Sequence, residues 1–190
     1  LALSLALAGT APAGATQDGW PALFDVTGVA ANDVLNIRAA PSASARILGG
    51  LAPNTRGVEV IRPDPALNWG LVNSGEGTGW VSLRFLARRP GQWDGAFPEV
   101  ASCFGTEPFW ALSRSGGELS FSMPDATTRF AEDWTAGSLS RRDRFAFGSA
   151  GGLTAIILRG ECSDGMRERI YGLSVELLLD EGYGRTLFSG

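Results

Sequence analysis

The sequence contains no histidine and no lysine, so all 16 of its basic residues are arginine. Without imidazole or primary amine side chains, it lacks the groups needed for Ser-His-Asp or Cys-His catalysis, histidine zinc sites, Schiff-base chemistry and the phosphate-binding loop. Carboxylate, hydroxyl and thiol groups remain. We therefore expect a protein that binds without catalysing, and that carries no cofactor.

Basic residues are also outnumbered, 16 against 20 acidic residues, which gives a net charge of −4. Nucleic-acid binding draws much of its affinity from a concentrated basic surface that neutralises phosphates. The one basic cluster, Arg141, Arg142 and Arg144, is typical of a solvated loop. We therefore expect no nucleic-acid partner.

Charged residues are sparse, at 19%, whereas the chain has 26 glycines and 10 prolines. Frequent turn formers between short apolar runs favour many short strands over long helices. A chain of 190 residues has room for one large or two small domains. The sequence thus predicts an all-β fold, with a small barrel followed by an antiparallel β-barrel or sandwich.

The most continuous apolar stretch is at the start of the sequence. Residues 1–15 are too few to cross a membrane as a helix, and they end in Ala13-Gly14-Ala15, which fits a signal cleavage site. We interpret them as the remnant of a secretory signal, followed by a linker at 16–22. A core helix or an uncleaved anchor is the alternative. The expected location is periplasmic or secreted.

Cysteine occurs only twice, as Cys103 and Cys162. In an oxidising compartment a cysteine pair commonly forms one disulfide, and this one would contribute about 4 kcal/mol in the chain-entropy model. Two free, buried thiols are the alternative. The wide spacing and the lack of histidine give no metal-binding motif, so we expect no metal.

Between residues 23 and 89, short apolar runs alternate with turn residues. Candidate strands are 24–29, 34–38, 57–61, 69–73 and 79–81. Around 34–38 the alternation points Leu35 and Ile37 inward, and Asn36 and Arg38 outward.

These segments resemble the bacterial SH3 domains of type 3. The resemblance is carried by LNIRAAPS at 35–42, WGLV at 69–72 and TGWVS at 78–82. It implies a five- to six-stranded barrel at 23–89 and a binding role, commonly toward cell-wall peptides or envelope proteins, without catalysis.

Five residues of this region are candidates for a ligand groove. The rings of Trp69, Trp80 and Phe85 would supply contact area at low entropic cost, and Asn36 and Arg38 would add polar contacts. The alternative is that the three aromatic residues belong to the core of a small barrel.

The Arg88-Arg89-Pro90-Gly91 stretch suits a boundary, and strand signals resume after it, which predicts a second domain at 90–190. Paired runs flank Gly116-Gly117, Gly151-Gly152 and residues 180–182, so we predict three hairpins of an antiparallel barrel or sandwich. The continuous apolar runs at 156–158 and 177–179 are expected to be buried on both faces or to lie under the first domain.

Two motifs in this second half resemble a family of exported bacterial proteins of unassigned function. They are CFGTEPFW at 103–110 and CSDGM at 162–166. Members of that family often finish with further cysteines, which leaves open the partner of each cysteine here.

Glu107 and Asp164 lie beside the two cysteines, so a disulfide would bring both carboxylates, with Trp110, into one neighbourhood. Such a second site would use them as acid and base, as in glycoside hydrolysis, or to hold a hard cation. The simpler interpretation is that Glu107 orders a turn and Asp164 forms an Asx-turn before a glycine. Trp110 and Met166 are expected to pack on the disulfide.

Together these observations predict a non-enzymatic binding or adaptor protein of the bacterial cell envelope. Its partner would be a peptide, a cell-wall fragment or an envelope protein. Three alternatives stay open: a small-ligand or inhibitor-type barrel with its function in residues 90–190, a carboxylate-dependent cell-wall hydrolase, and an accessory subunit of a membrane complex.

Overall fold

The computed structural model describes residues 18–180 and 184–190, so the proposed signal remnant at 1–15 lies outside the described residues. Strands dominate, and the described part of the chain has one 3-10 turn, Leu83–Phe85, and no α-helix. The all-β prediction is confirmed. No helix among these residues is long and apolar enough to cross a membrane.

Short strands fill the first half of the described chain. They are β1 (Ala22–Val26), β2 (Leu35–Arg38), β3 (Ile47–Leu51), β4 (Val58–Val60), β5 (Arg62–Pro63), β6 (Trp69–Ser74), β7 (Gly77–Ser82) and β8 (Leu86–Arg88). They make a three-stranded sheet of order β4-β1-β8 and a five-stranded sheet of order β3-β2-β7-β6-β5. Both sheets contribute side chains to one apolar cluster, so the core of this small barrel lies between them.

Inward and outward residues alternate along β2 as the sequence predicts. Leu35 and Ile37 are buried, whereas Asn36 and Arg38 are half-buried on the opposite face, which confirms the predicted inward and outward positions. Gly79 is required where β7 pairs with β2, because a Cβ atom at this position would overlap the Ile37 side chain.

The second half is a meander in which each strand pairs antiparallel with the next within its sheet. The strands are β9 (Ser102–Thr106), β10 (Phe109–Ser115), β11 (Glu118–Met123), β12 (Ala126–Ala131), β13 (Trp134–Gly137), β14 (Arg144–Ser149), β15 (Leu153–Cys162), β16 (Tyr171–Asp180) and β17 (Arg185–Ser189). One sheet has the order β12-β11-β10-β9 and the other runs from β13 to β17. Their inner faces share one core cluster.

The two sheets of the meander meet at both edges. At one edge the chain passes from β12 to β13 through Glu132 and Asp133, whose N–H groups donate to Gly117 O at 2.8 Å and Gly148 O at 3.0 Å. At the other edge Gly190 lies so close to β9 that a Cβ atom on it would overlap Phe104 O. The arrangement is an up-and-down antiparallel barrel.

Two predicted hairpins of this barrel are present. The β10–β11 turn contains Gly116 at φ 60° and Gly117 at φ 81°, and two consecutive positive φ values are what a type I′ turn demands. Gly152 adopts φ 105° between β14 and β15. The third hairpin joins β16 to β17, but its turn at 181–183 lies outside the described residues.

The expectation that residues 156–158 are buried on both faces is wrong. Ile157 is 1% exposed, but Ile156 is 42% exposed. The physical reason is that β15 has one face on the barrel core and one on the outside, so burial alternates even through an uninterrupted apolar run. In β16 the same alternation leaves Leu178 half-buried between two buried leucines.

Residues 89–101 pack against both halves of the molecule. The Gln92 side chain accepts a hydrogen bond from Leu23 N at 2.6 Å and donates to Leu23 O at 2.8 Å, which ties it to β1. Arg159 on β15 donates to Ala96 O at 3.0 Å. The halves are thus held together by hydrogen bonds to this segment, while the predicted domain boundary near 89 stays a prediction.

The barrel core gives the first testable expectation. Leu177 on β16 is fully buried, so Leu177→Ala should lower the free energy of unfolding by about 2–5 kcal/mol through lost apolar burial and the cavity left behind. Leu187→Ala on the neighbouring strand is the matched control, because this leucine is 63% exposed and its truncation should cost no more than about 0.5 kcal/mol. Urea denaturation measures both, and equal losses would contradict the assigned inner face.

Candidate functional site

A cavity of about 740 Å³ lies where the two halves of the molecule meet. β9 and its flanking residues form one wall, the end of β15 and the start of β16 form another, and the first half closes the third side with Leu23, Glu59 and Arg89. Ligand pockets in proteins commonly measure roughly 300–1,000 Å³. The cavity is therefore large enough for a small molecule or a short peptide.

The inner wall of the cavity is apolar. Cys103, Ile157 and Val175 line it and are also members of the barrel core, and Leu173 packs against that core. The cavity is thus an opening into the side of the barrel, and a ligand would gain affinity by covering apolar surface there.

Carboxylates surround this apolar wall. They are Glu59, Glu99, Glu107 and Asp164. Burial raises the pKa of the Glu59 carboxyl, and a hydrogen bond from the backbone N–H of Gly172 and the charge of Arg169 oppose that shift.

Arg89 is the one basic residue among the described residues that line the cavity, and its guanidinium group already forms ion pairs with carboxylates. Its Nη1 lies 3.0 Å from Glu99 Oε1, and its Nε lies 3.7 Å from Asp25 Oδ1. The remaining charge around the cavity is therefore negative.

The structure brings Glu107 and Asp164 to the same cavity. Glu107 is exposed in the turn between β9 and β10. Asp164 accepts hydrogen bonds at Oδ1 from Met166 N at 3.0 Å and Arg167 N at 3.2 Å, which is the Asx-turn geometry of the simpler interpretation. Within residues 18–180 and 184–190, no three Cys, Asp or Glu side chains are placed to hold a metal ion together.

Cys103 and Cys162 also line the cavity, but both are free thiols, so the predicted disulfide is not formed in this structure. They lie on different strands: Cys103 lies on β9, and the Cys162 thiol at the end of β15 donates to Leu173 O at 3.2 Å. Burial raises the pKa of Cys103 to about 12, against a smaller lowering by Arg114. Burial and then the charge of Glu59 raise the pKa of Cys162.

Trp110 and Met166 are not placed as the sequence suggested. Trp110 is buried in the barrel core, where its ring centroid lies 6.0 Å from that of Phe121 and 6.0 Å from that of Phe188. Met166 is 62% exposed on the β15–β16 connection. With no disulfide formed, neither side chain packs on one.

The five predicted groove residues of the first half separate into two places. Arg38 pairs with Trp80 across β2 and β7, and Trp80 pairs with Leu71 on β6. Arg38 and Trp80 alternate with the core residues of their strands, so they lie on the outer face of the five-stranded sheet. Asn36 and Trp69 lie on the same face for the same reason. Phe85 instead packs against the core cluster from the 3-10 turn.

The outer sheet face is contacted by the chain itself, through the end of β15 and the connection to β16. We call these residues, 161–170, the arm. The Asn73 side chain on β6 donates to Ile170 O at 2.8 Å and accepts from Ile170 N at 3.1 Å. Two ion pairs flank it, Arg62 with Glu161 at 2.8 Å and Arg167 with Glu76 at 3.0 Å. Trp80 therefore lies beside an internal interface, with the Arg62 guanidinium 5.2 Å from its ring centroid.

The sequence motifs pointed to part of the cavity and missed the rest. The motifs predicted Glu107, Asp164 and both cysteines as site residues. No motif near Glu59, Leu173 or Arg89 predicts that they line a ligand site. Their role depends on the packing of the first half against the second, which no spacing within either half encodes.

Comparisons with known proteins support the SH3 resemblance of the first half of the chain. Residues 33–87 match the family model described as bacterial SH3 domain, a region that includes β2 to β7 and most of β8. The molecule therefore contains a bacterial SH3 domain, a type of domain associated with binding in the cell envelope. Searches of curated proteins and of solved structures found no match. The resemblance of residues 103–166 to an exported family has no support from these comparisons.

The arm interface gives a second testable expectation. Asn73→Ala removes both hydrogen bonds to Ile170 and leaves a partly buried N–H and C=O without their partners, which should cost about 1–3 kcal/mol of unfolding free energy. Hydrogen exchange of residues 161–172 should rise in the same variant. Asn36→Ala is the control, since Asn36 is half-buried on the same sheet face. Equal effects of the two substitutions would show that the arm is not held by Asn73.

The two thiols give a third testable expectation. With its pKa raised to about 12, Cys103 is almost wholly protonated at pH 8, and because the thiolate is the reactive form, iodoacetamide should modify it far more slowly in the folded protein than after denaturation in urea. Cys162 is less buried and should be modified first. Mass spectrometry of peptides from timed reactions gives the order, and prompt labelling of Cys103 in folded protein would contradict it.

Proposed function

We propose that the protein is a non-catalytic binding protein of the bacterial cell envelope, and that its ligand occupies the cavity between the SH3 domain and the second barrel. The observation that carries this proposal is the cavity itself, which has an apolar inner wall, a polar rim and contributions from both halves of the molecule. Binding sites are commonly found at such junctions.

The chemistry of the cavity favours binding over catalysis. A nucleophile needs an adjacent base or a lowered pKa, yet burial raises the pKa of both thiols and the chain has no histidine or lysine to activate a hydroxyl. Asp164 is engaged by two backbone N–H groups, which favours a structural role for its carboxylate. These features speak against the cell-wall hydrolase that the two carboxylates suggested.

The envelope location is supported by the sequence and by the match to a bacterial SH3 domain. The start of the sequence resembles a secretory signal, and the net negative charge disfavours a nucleic-acid partner. A periplasmic or secreted protein that binds an envelope protein or a cell-wall peptide fits these properties. The alternative is a small-ligand or inhibitor-type barrel whose function lies in residues 90–190. It differs from this proposal only in how much the SH3 domain contributes to the ligand site.

The cavity is a better candidate than the groove predicted on the SH3 domain. The outer sheet face that carries Trp80 is contacted by the arm, and Phe85 packs against the core, so the predicted residues do not form one open groove. In this arrangement the SH3 domain contributes Leu23 and Glu59 to the cavity wall and holds the arm in place.

Ligand binding can be tested with N-phenyl-1-naphthylamine, a neutral apolar fluorophore. It should bind at one site per chain, because the cavity offers concave apolar surface. Ser174→Trp introduces a large ring at the cavity wall and should weaken binding about tenfold or more, equivalent to about 1.4 kcal/mol.

Ser120→Trp makes the same change on β11, which does not line the cavity, and should leave binding unchanged. Thermal unfolding shows whether each variant folds. Equal binding by both variants, or no saturable binding by the unsubstituted protein, would contradict the cavity as the ligand site.

A further inference from the structure

We infer that Arg62, Asn73 and Glu76 of the SH3 domain form a peptide-binding surface, which we call the clamp, and that the arm occupies it from within the same chain. A loop of a partner protein that carries the arm's pattern of charges binds the clamp when the arm is released. The clamp residues are not among the described residues that line the cavity. This second binding surface therefore goes beyond the proposed function and does not depend on it.

The clamp lies on the outer sheet face of the SH3 domain. Arg62 is on β5, Asn73 is on β6, and Glu76 is in the turn between β6 and β7. Arg62 pairs across the strands with Leu71, which pairs in turn with Trp80, so the guanidinium group lies beside the half-buried indole ring. The clamp thus presents a cation, a side-chain amide and a carboxylate next to an aromatic surface.

The arm offers each clamp residue a complementary group. Arg62 pairs with the Glu161 carboxylate at 2.8 Å. Glu76 pairs with the Arg167 guanidinium at 3.0 Å. Asn73 contacts both the N–H and the C=O of one arm residue through its side-chain amide. One charge of each sign and one pair of backbone groups are features that a loop of another protein can present, so the same recognition is open to a second chain.

The arm is held less firmly than the strands around it. Each of its residues is exposed or half-buried, and among the described residues neither core cluster includes a member of the arm. Both of its ion pairs join exposed side chains, and such pairs contribute little to stability. Segments with few buried apolar contacts open more readily than core strands. We therefore expect the arm to leave the clamp without unfolding of either half.

The bend of the arm is encoded within the arm itself. Asp164 Oδ1 accepts hydrogen bonds from the N–H groups two and three residues further along the chain, and Gly165 adopts φ 71°. Cys162 pairs with Tyr171 across β15 and β16, which places the two ends of the arm side by side. A cyclic peptide with the arm's sequence is therefore suited to adopt the same bend.

This cyclic peptide is the probe. It has the sequence of residues 161–170, with serine in place of Cys162 and a glycine linker that closes the ring. In the unsubstituted protein it competes with a tethered arm, whose effective concentration is high, and it should bind weakly. Glu161→Arg with Arg167→Glu reverses both charges of the arm without changing the net charge. This reversed-arm variant should bind the probe at least about tenfold more tightly, because its own arm is repelled from the clamp.

The matched control reverses a different exposed ion pair. Glu118→Arg with Arg129→Glu changes a pair outside the arm, in which Arg129 Nε lies 3.4 Å from Glu118 Oε1. This control should bind the probe as weakly as the unsubstituted protein does. Fluorescence anisotropy of the labelled probe measures the affinities, and thermal unfolding shows whether each variant folds.

Substitutions in the clamp should act in the opposite direction. In the reversed-arm variant, Asn73→Ala removes the amide that contacts the peptide backbone and should weaken probe binding about three- to tenfold. Adding Arg62→Glu and Glu76→Arg to the reversed-arm variant restores opposite charges between clamp and arm. The arm should then return to the clamp, and hydrogen exchange of residues 161–172, faster in the reversed-arm variant, should slow again.

Equal affinity of the unsubstituted, reversed-arm and control proteins, or no saturable binding by any of them, overturns the inference, because the arm would then not compete for the clamp. Probe binding that survives Asn73→Ala unchanged overturns it as well. If the reversed-arm variant does not fold, excess probe should speed hydrogen exchange of residues 161–172 in the unsubstituted protein, and unchanged exchange is the contrary result. Binding of N-phenyl-1-naphthylamine tests the cavity separately, so either proposal can fail alone.

Discussion

The backbone contact that joins Gly190 to Val175 and places it against Phe104 holds the two sheets of the second barrel together at one edge. It brings the end of one sheet beside β9 of the other, and the inner faces of both sheets share one core. The cavity lies beside this contact, and β9, the start of β16 and Gly190 all line it. Its apolar inner wall consists of core residues from both sheets, among them Cys103 and Val175.

The first half of the chain adds a further wall to this cavity through Leu23, Glu59 and Arg89. Gln92 fixes β1 beside the connecting segment, and the Asn73 side chain holds the arm through both backbone groups of Ile170. Because the arm leads directly into β16, the contact with the SH3 domain also positions one wall of the cavity. A ligand in the cavity and a change at the outer sheet face would therefore act on the same element.

The absence of lysine and histidine shapes the electrostatics of the molecule. Arginine guanidinium groups stay charged and form directional ion pairs, as Arg89 does with Glu99, whereas the cavity carboxylates Glu107 and Asp164 lack such partners in the described chain. The buried Cys103 thiol, whose pKa is raised, adds apolar surface rather than reactivity. The cavity thus combines an apolar inner wall with unbalanced negative charge at its rim.

Composition and local pattern determined the class of the fold. Glycine pairs fixed the β10–β11 and β14–β15 hairpins, strand alternation placed Leu35 and Ile37 inward, and the SH3 motifs were confirmed over residues 33–87. These features are local, since a turn or an alternation is encoded within a few residues.

Only the tertiary structure decided where the candidate site lies. Residues from both halves meet at the cavity, the arm contacts the predicted groove face, and the cysteines line the cavity as free thiols. A sequence specifies which side chains are available, but the distances between segments far apart in the chain follow from how whole sheets pack. For this protein that packing moved the candidate site from an aromatic groove to the cavity between the two halves.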